Sequence, residues 1–570
     1  MRGFRFVAAA LVTLGIILRL WHWGFSRSLW IDEARLALNV AGRSFGALAQ
    51  PLWFDQSAPL LFLWSSKLAT LMFGVSEESL RLIPTLAALA AVPLMYVMVR
   101  SVIGERGALC ASALLAVSPI VLYFSNEVKP YSSDVLVSTV LFLVTFRGLS
   151  DETDRTLRWI AATGLVAPWV SLGAYFVLPG CYLALWLTRS TRARAWQLGA
   201  IGTIWILSCL VAYSITYAPA ASNPYLYEFW QHRLLVPGPG FLTRVWEAAC
   251  ELLSGSVSGV VALPGTPGPL VSAATILTGT LIIVGSRVVA KRSGPHAIII
   301  LLPLVLLAIA SLIGRYPLAL RLAFFALPSL YLLFSAGAIR ILGALEKTAR
   351  FNVSPALLVV LLVVPTGRSL AYAIQPERWG PIADAVEDLR RQAKPDDLIY
   401  IGAGALPAWG FYSTDWGAHR PSFLQALADA GGSGGYAFEN RSPASLSGTT
   451  EDVVPLGGRR EIWGRPTGMQ WRWGTGFVRD VPIDGWANAE AWRIRANVTR
   501  FAWVFMTHAF GAEQHLDAAI RTCGGHLVQS EYNGALRKYE FAPESARLKC
   551  QRPDRNDSSR PAITFSGANL

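Results

Sequence analysis

Ala58-Pro-Leu-Leu-Phe-Leu-Trp-Ser-Ser-Lys-Leu-Ala-Thr-Leu-Met-Phe73 is apolar, is only 16 residues long and carries a lysine at position 67. A membrane-spanning helix needs about 20 predominantly apolar residues. Whether this stretch crosses decides the orientation of everything after it. If it does not cross, Arg100/Arg106, Arg147/Arg155/Arg158, Arg189/Arg192/Arg194, Arg287/Lys291/Arg292 and Arg340/Lys347/Arg350 all fall on one side, the cytoplasmic one expected for short basic loops. If it crosses, all five clusters fall outside. We therefore read Ala58–Phe73 as a hydrophobic helix lying in, or dipping into, the outer leaflet.

The rest of the composition supports a membrane chain. Hydrophobic residues make up 53% and charged residues 15% of the 570, against about a quarter charged in soluble domains. The net charge of +13 belongs to residues 1–375, which hold 28 of 50 Lys+Arg and 15 of 37 Asp+Glu; residues 376–570 hold 22 of each. Basic residues confined to short loops between apolar runs fit membrane topology and anionic lipid and argue against nucleic acid. Apolar segments beginning near Phe4, Arg81, Ala108, Tyr131, Trp159, Ala174, Trp196, Pro269, Ala297, Arg321 and Ser354 give about 11 spans. Phe4–Trp23 follows two arginines without a small-residue cleavage site and reads as an uncleaved first span. The N-terminus is then cytoplasmic, and loop 25–80, the segment around Glu127, loop 218–268 and the tail share the outer side.

The tail alternates helix-like and strand-like segments: Pro381–Gln392 amphipathic, Leu398–Ile401 a strand, Phe501–Met506 a strand, Glu513–Thr522 a helix, Ala535–Phe541 a strand. That alternation predicts a small α/β domain over 376–545, with loops at Gly431–Gly435 and Ser442–Thr450 and a loose end over 546–570. Of six cysteines, only Cys523 and Cys550 lie in the tail. They are either free thiols or a disulfide, which needs an oxidising compartment.

Four constellations carry chemistry. In Ser28-Leu-Trp-Ile-Asp-Glu-Ala-Arg35, the Asp32–Glu33 pair at the membrane interface suits a general base, a metal ligand or both, or simply the positive end of a helix. In Tyr123-Phe-Ser-Asn-Glu-Val-Lys-Pro-Tyr131, Pro130 turns the chain between two spans. Lys129 there either holds a lipid-linked phosphate as a point charge or snorkels beside Glu127. Arg321, after Gly314-Arg-Tyr-Pro317, needs an anion in apolar surroundings, either a phosphate or an internal carboxylate. Finally, Tyr225-Leu-Tyr-Glu-Phe-Trp-Gln-His232 would present Glu228 and His232 on one helix face, for a metal, a sugar or the interface. Gly402-Ala-Gly404-Ala-Leu-Pro407 has proline where a dinucleotide fingerprint needs its last glycine and is discounted.

The order of these pieces resembles the GT-C superfamily of integral membrane glycosyltransferases, and within it the dolichyl-phosphate-mannose–protein mannosyltransferase-like family 39 with its bacterial relatives. The residues that carry the resemblance are Asp32-Glu33, Ser57-Ala-Pro59-Leu60 leading the short helix, Glu78-Ser-Leu-Arg81-Leu-Ile-Pro84, Asn126-Glu-Val-Lys-Pro-Tyr131 and Arg321 through Pro328. The resemblance implies transfer of a sugar from a polyprenyl phosphate to an acceptor glycan, lipid or protein, usually with inversion. It assigns Asp32 as base with Glu33 orienting it or helping to bind a metal, Lys129 and Arg321 to the donor phosphate, and Glu127, Tyr131, Glu228 and His232 to substrate. The cofactor is left unknown, with a divalent metal as the candidate. Ser57-Ala58-Pro59 stands where the family often has His-Pro-Pro, and an α/β tail differs from the β-trefoil of protein mannosyltransferases. The first departure weakens any role assigned to Ser57-Ala58-Pro59, and the second points to a bacterial envelope enzyme of the cytoplasmic membrane. A transporter or flippase for lipid-linked glycans should show internal repeats and broken helices; an oligosaccharide ligase and a non-catalytic envelope assembly protein are the other readings.

Overall fold

The computed structural model describes residues 2–25, 27–151, 153–189, 192–259, 268–349, 354–374, 381–416, 454–456, 459–464, 469–472, 476–479, 483–508, 511–542 and 550. The chain divides into two compact units: Met1–Arg27 with Asn39–Glu377, and Ser28–Leu38 with Arg378–Leu570.

The first unit is helical. Its helices are α1 (Arg2–Gly24), the end of α2 (Ile31–Gly42), α3 (Leu60–Phe73), α4 (Glu77–Ile103), α5 (Glu105–Val117), α6 (Pro119–Ser125), α7 (Tyr131–Ser150), α8 (Asp154–Val170), α9 (Ala174–Arg189), α10 (Arg192–Ala212), α11 (Ala218–Ala221), α12 (Pro224–Trp230), α13 (Phe241–Ala249), α14 (Gly268–Arg292), α15 (Gly294–Leu312), α16 (Leu327–Ala349) and α17 (Ser354–Ile374). Among the described residues, seven helices are long and apolar enough to cross a membrane. The pair α5–α6, bent by 58°, adds an eighth. All eleven segments expected to span are helical, and the protein is a multi-pass membrane protein.

Helix α3 is 14 residues long, about 21 Å at 1.5 Å per residue and well short of a ~30 Å hydrocarbon core. It starts after Pro59 and stops at Gly74, whose φ of +84° admits glycine readily. The lysine that made the segment ambiguous is buried. Lys67 Nζ donates to the carbonyls of Val40 (3.2 Å) and Ala41 (3.4 Å) at the end of α2, where a helix leaves acceptors over.

The α5–α6 bend has a local cause. Pro119 has no N–H and pushes Ser118 into extended geometry, φ −67° and ψ 120°. The carbonyls of Leu115 and Ala116 thereby lose their helical donors. Arg19 of α1, fully buried, replaces them, donating Nη2 to Leu115 O (2.9 Å) and Nη1 to Ala116 O (2.6 Å). Elsewhere helices touch backbone to backbone: a Cβ at Gly285 of α14 would lie 1.8 Å from Leu333 O, and one at Gly337 of α16 would lie 2.0 Å from Leu281 O. Small residues permit this approach inside membranes.

The second unit is α/β. It holds the start of α2, α18 (Ile382–Gln392), α19 (Leu406–Tyr412), α20 (Ile483–Asn497) and α21 (Ala512–Thr522) around strands β1 (Leu398–Ile401), β2 (Val454–Leu456), β3 (Arg459–Trp463), β6 (Phe501–Phe505), β7 (Gly525–Glu531) and β8 (Leu536–Phe541). The six strands lie in the order β2-β3-β1-β6-β8-β7; β1 is parallel to β3 and β6, and the other pairs are antiparallel. A separate hairpin pairs β4 (Met469–Arg472) with β5 (Gly476–Arg479). Leu398, Tyr400, Ile462, Ile494, Val504, Leu516 and Tyr539 form the core. Inside it, buried Glu490 accepts from Tyr400 Oη (2.9 Å) and Arg493 Nη1 (2.7 Å). Cys523 and Cys550 form a disulfide, with Cα atoms 4.6 Å apart. The loops read at Gly431–Gly435 and Ser442–Thr450, and the tail beyond 546 apart from Cys550, lie outside the described residues.

Two outcomes follow from these contacts. Arg19→Leu strands two buried carbonyls and should cost about 2–5 kcal/mol, read as a lowered Tm of the full chain in detergent; an unchanged Tm would show that the bend holds without the arginine. Cys550→Ser opens a loop of 27 residues and should cost about 3 kcal/mol, read as faster proteolysis of the second unit in the full-length protein.

Candidate functional site

In the first unit the turn between α6 and α7 is built on buried polar contacts. Glu127, fully buried, has its Oε1 3.8 Å from Arg27 Nη2. The Arg27 guanidinium lies 4.9 Å over the Tyr123 ring and donates to Asn126 O at 3.3 Å. Arg81, also buried, donates to Arg27 O at 2.7 Å. Thr85 Oγ1 reaches Asn126 Oδ1 at 3.1 Å. The turn is thereby clamped to α4 and to Arg27, three residues beyond the end of α1. Lys129 Nζ donates to Gln56 Oε1 at 2.6 Å.

Gln56 belongs to a strap that sequence reasoning missed. Phe54 and Asp55 both have positive φ, 59° and 53°, and both are buried. Such conformations persist in non-glycine residues only where the surroundings hold them. Here Asn39 clasps the strap, accepting from Trp53 N (2.9 Å) and donating to Trp53 O (3.2 Å). Asp55 Oδ1 accepts from Asn223 Nδ2 at 2.7 Å, and Ser57 Oγ donates to Thr216 O at 3.4 Å. The strap thus joins the first long loop, the α6–α7 turn and the segment after α10. One signal was available: Asp55 is the only acidic residue between Arg43 and Glu77.

Tyr131 connects this turn to Arg321. Its ring packs on Phe124 (5.0 Å between centroids) and Phe324 (5.8 Å), and Phe324 shares the 3₁₀ turn Leu320–Ala326 with Arg321. The Arg321 guanidinium lies 4.8 Å over the Trp230 ring, a cation–π contact. Nearby, Arg233 pairs with Glu251, which also accepts from Leu320 N at 3.2 Å. Burial lowers the pKa of Arg233 against the raising effect of Glu251. Burial and the Arg233 charge hold the His232 imidazole down at about 4, so it is neutral at physiological pH. Glu228 stands in α12, its side chain outside the described residues. The structure therefore assembles Lys129, Tyr131, Arg321 and, through Trp230, the aromatic loop with His232.

Asp32 and Glu33 occupy the first turn of α2, within the second unit. Their negative charge favours the helix start, but their environments differ. Glu33 is fully buried, and its Oε2 accepts from Trp30 N at 3.5 Å. Asp32 retains 22% side-chain exposure and lies 3.8 Å from Arg35. No histidine is close to Asp32 in sequence, yet the turn after β6 brings His508 within its field. Burial pushes the His508 imidazole down to about 4, with Asp32 opposing and Arg35 reinforcing. Among the described residues, no three His, Cys, Asp or Glu side chains gather where a metal could sit.

Residues 57–213 match the dolichyl-phosphate-mannose-protein mannosyltransferase family. Protein O-mannosyl-transferase 1 of Mus musculus is 24% identical over 272 residues, 42% of this chain and 36% of that protein. The chain thus spans little more than a third of its mammalian relative. ArnT from Cupriavidus metallidurans bound to undecaprenyl phosphate superposes with a TM-score of 0.50 at 13% identity, over 95% of this chain and 98% of that one. The chain shares the fold of ArnT. The archaeal oligosaccharyltransferase of Archaeoglobus fulgidus, in complex with Zn and sulfate, gives a TM-score of 0.48 at 14% identity over 93% of this chain and 72% of that one. The family match begins at Ser57 of the strap and contains Glu127, Lys129 and Tyr131; Asp32, Glu33 and Arg321 lie outside it.

The depressed His508 pKa has a stability consequence. Its folded value of about 4 lies below the ordinary 6.5, so between these values the unfolded chain binds the proton first. The stabilisation is complete above about pH 6.5 and is lost as pH falls toward 4. Thermal unfolding of the full chain at pH 7.5 and 5 should show a larger drop in Tm for wild type than for His508→Asn. Equal drops would contradict a buried neutral imidazole.

Proposed function

We propose that the protein moves a sugar from a polyprenyl-phosphate donor to an acceptor hydroxyl or amine at the outer face of a bacterial cytoplasmic membrane, with inversion at the anomeric carbon. The observation that carries this reading is the joining of Lys129 and Arg321 through the Tyr131–Phe324 contact at one end of the helical unit. Undecaprenyl phosphate bound to ArnT supports a lipid phosphate as the group these cations receive.

The chemistry balances on these residues. The anomeric C–O bond breaks with its electrons passing to the lipid phosphate, which leaves with one more negative charge. Lys129 and Arg321 stabilise that charge as it develops, so the leaving group needs no protonating acid. The acceptor oxygen or nitrogen bonds to the anomeric carbon from the opposite face, and its proton goes to Asp32. Partial exposure suits Asp32 to this role, whereas buried Glu33 shapes the helix start beside it. Glu127 holds Arg27 and the turn that carries Lys129. Tyr131, Trp230 and neutral His232 line the sugar side, with Glu228 assigned there from its helix position. A divalent metal would fall to Asp32 and Glu33, but the inward set of Glu33 does not fit a shared ion, and no step is routed through one.

Two features support the outer placement of the second unit: the disulfide Cys523–Cys550, which an oxidising compartment maintains, and the basic loops assigned to the cytoplasm. The test is transfer of radiolabelled sugar from a panel of polyprenyl-phosphate sugars by membranes carrying wild type or Asp32→Asn at matched expression. Wild type should transfer from at least one donor, and Asp32→Asn should be slower by about 10²–10⁴-fold. Full activity in the mutant would remove Asp32 as base. Failure with every donor would remove glycosyl transfer and favour glycan transport.

A further inference from the structure

The strap of the helical unit holds two conformationally costly residues that the transfer chemistry does not use. Phe54, at φ 59° and ψ 38°, and Asp55, at φ 53°, both lie in the left-handed region, where a Cβ crowds the backbone. The pair has a local product. Gln56 follows it in extended geometry, φ −83° and ψ 152°, and its side chain folds back on the strap. Gln56 Nε2 donates to the Phe54 carbonyl at 2.9 Å, and Gln56 Oε1 accepts from Lys129 Nζ at 2.6 Å. These two partners fix the amide. Its nitrogen only donates and its oxygen only accepts, so the flipped amide would set NH₂ against an ammonium and oxygen against oxygen.

The strap also reaches the second cation. Asp55 Oδ1 accepts from Asn223 Nδ2 at 2.7 Å. Asn223 directly precedes α12, and α12 ends at Trp230, whose ring lies under the Arg321 guanidinium. Three consecutive residues therefore serve both cations: Phe54 and Gln56 on the side of Lys129, Asp55 and α12 on the side of Arg321. Lys129 is more than nine-tenths buried, and a lysine side chain has many rotamers to choose among. Gln56 selects one of them. Being neutral, it directs the ammonium without itself cancelling the charge. Backbone strain of this kind is found where the surroundings hold a residue for a purpose other than stability.

We propose that Gln56 is a positioning residue for Lys129, and that the left-handed Phe54–Asp55 pair serves to place it. The relay from Phe54 O through the Gln56 amide to Lys129 Nζ sets the ammonium before the donor arrives, so that less order is lost when the phosphate binds. The inference rests on the reading of Lys129 as a donor-phosphate group and adds a residue to that site. Gln56 acts through Lys129, and no covalent step passes through it.

The test uses the full-length protein in detergent with undecaprenyl phosphate as the probe, bound lipid being counted by native mass spectrometry. Gln56→Met keeps the length of the side chain and removes both hydrogen bonds; it should weaken binding about three- to tenfold. Gln56→Glu still accepts from Lys129 but sets a carboxylate against it, and should weaken binding as far as Lys129→Met does. Added to Lys129→Met, Gln56→Met should cost nothing more, because its effect passes through the ammonium. Wild-type binding in Gln56→Met would overturn the proposal, and so would a further several-fold loss in the double variant, which would assign the effect to a damaged strap. A second readout needs no lipid: reductive methylation of the Lys129 amine, read by mass spectrometry, should run several-fold faster in Gln56→Met and no faster than wild type in Gln56→Glu. Unchanged methylation in Gln56→Met would overturn the hold on Lys129. Faster methylation together with equal lipid binding by wild type and Lys129→Met would instead overturn the phosphate reading on which the inference rests.

Discussion

Inside hydrocarbon no water meets an unpaired carbonyl or a charge, so each such group must find its partner within the protein. The helical unit is organised around that requirement. Pro119 frees two carbonyls in mid-membrane sequence, and Arg19 of the first helix satisfies them. Lys67 fits an apolar helix because the end of α2 presents carbonyls to it. Arg27, Arg81 and Glu127 form a buried polar clamp on the turn that carries Lys129. Arg19, Lys67 and Glu127, which look misplaced in apolar runs, meet a backbone break, a helix end and an opposite charge respectively.

The same constraint shapes the candidate site. A sugar donor on a lipid phosphate presents its anion at the membrane edge, and the turn at Lys129 and the 3₁₀ turn at Arg321 are fixed to one another by aromatic packing. The strained Phe54–Asp55 strap and its Asn39 clasp tie the first long loop to the same turn. Rigid placement matters because a developing charge is stabilised most by groups already in position. The indole beneath Arg321 keeps the guanidinium directed without removing its charge.

Much of this was legible in the sequence, for definite reasons. Apolar runs of about 20 residues declare spanning helices directly, and the alternation after residue 380 declared an α/β tail whose strands at Leu398, Phe501 and Leu536 fall where the pattern put them. Lys129, Tyr131 and Arg321 stood out because charged and polar groups beside spans are rare. What could not be read was contact between distant segments. The α5–α6 bend lies inside a continuous apolar run, and the partner of Asp55 is Asn223, far along the chain. His508 and Asp32 lie near opposite ends of the chain, and only the folding of both into the second unit puts the imidazole within the field of the carboxylate. The sequence also left Lys129 between a phosphate and Glu127; in the structure Glu127 lies 3.8 Å from Arg27 and Lys129 donates to Gln56, partners that no sequence spacing indicated.

The central claim is that this helical unit receives a lipid phosphate at Lys129 and Arg321. Binding of undecaprenyl phosphate, measured by native mass spectrometry on purified wild type, Lys129→Met and Arg321→Met at matched detergent and salt, addresses it without requiring an acceptor or a sugar. The account predicts a bound lipid on wild type and at least about tenfold weaker binding in each variant, since a hydrogen-bonded charge contributes about 1.5–3 kcal/mol. Equal occupancy of all three proteins would contradict it.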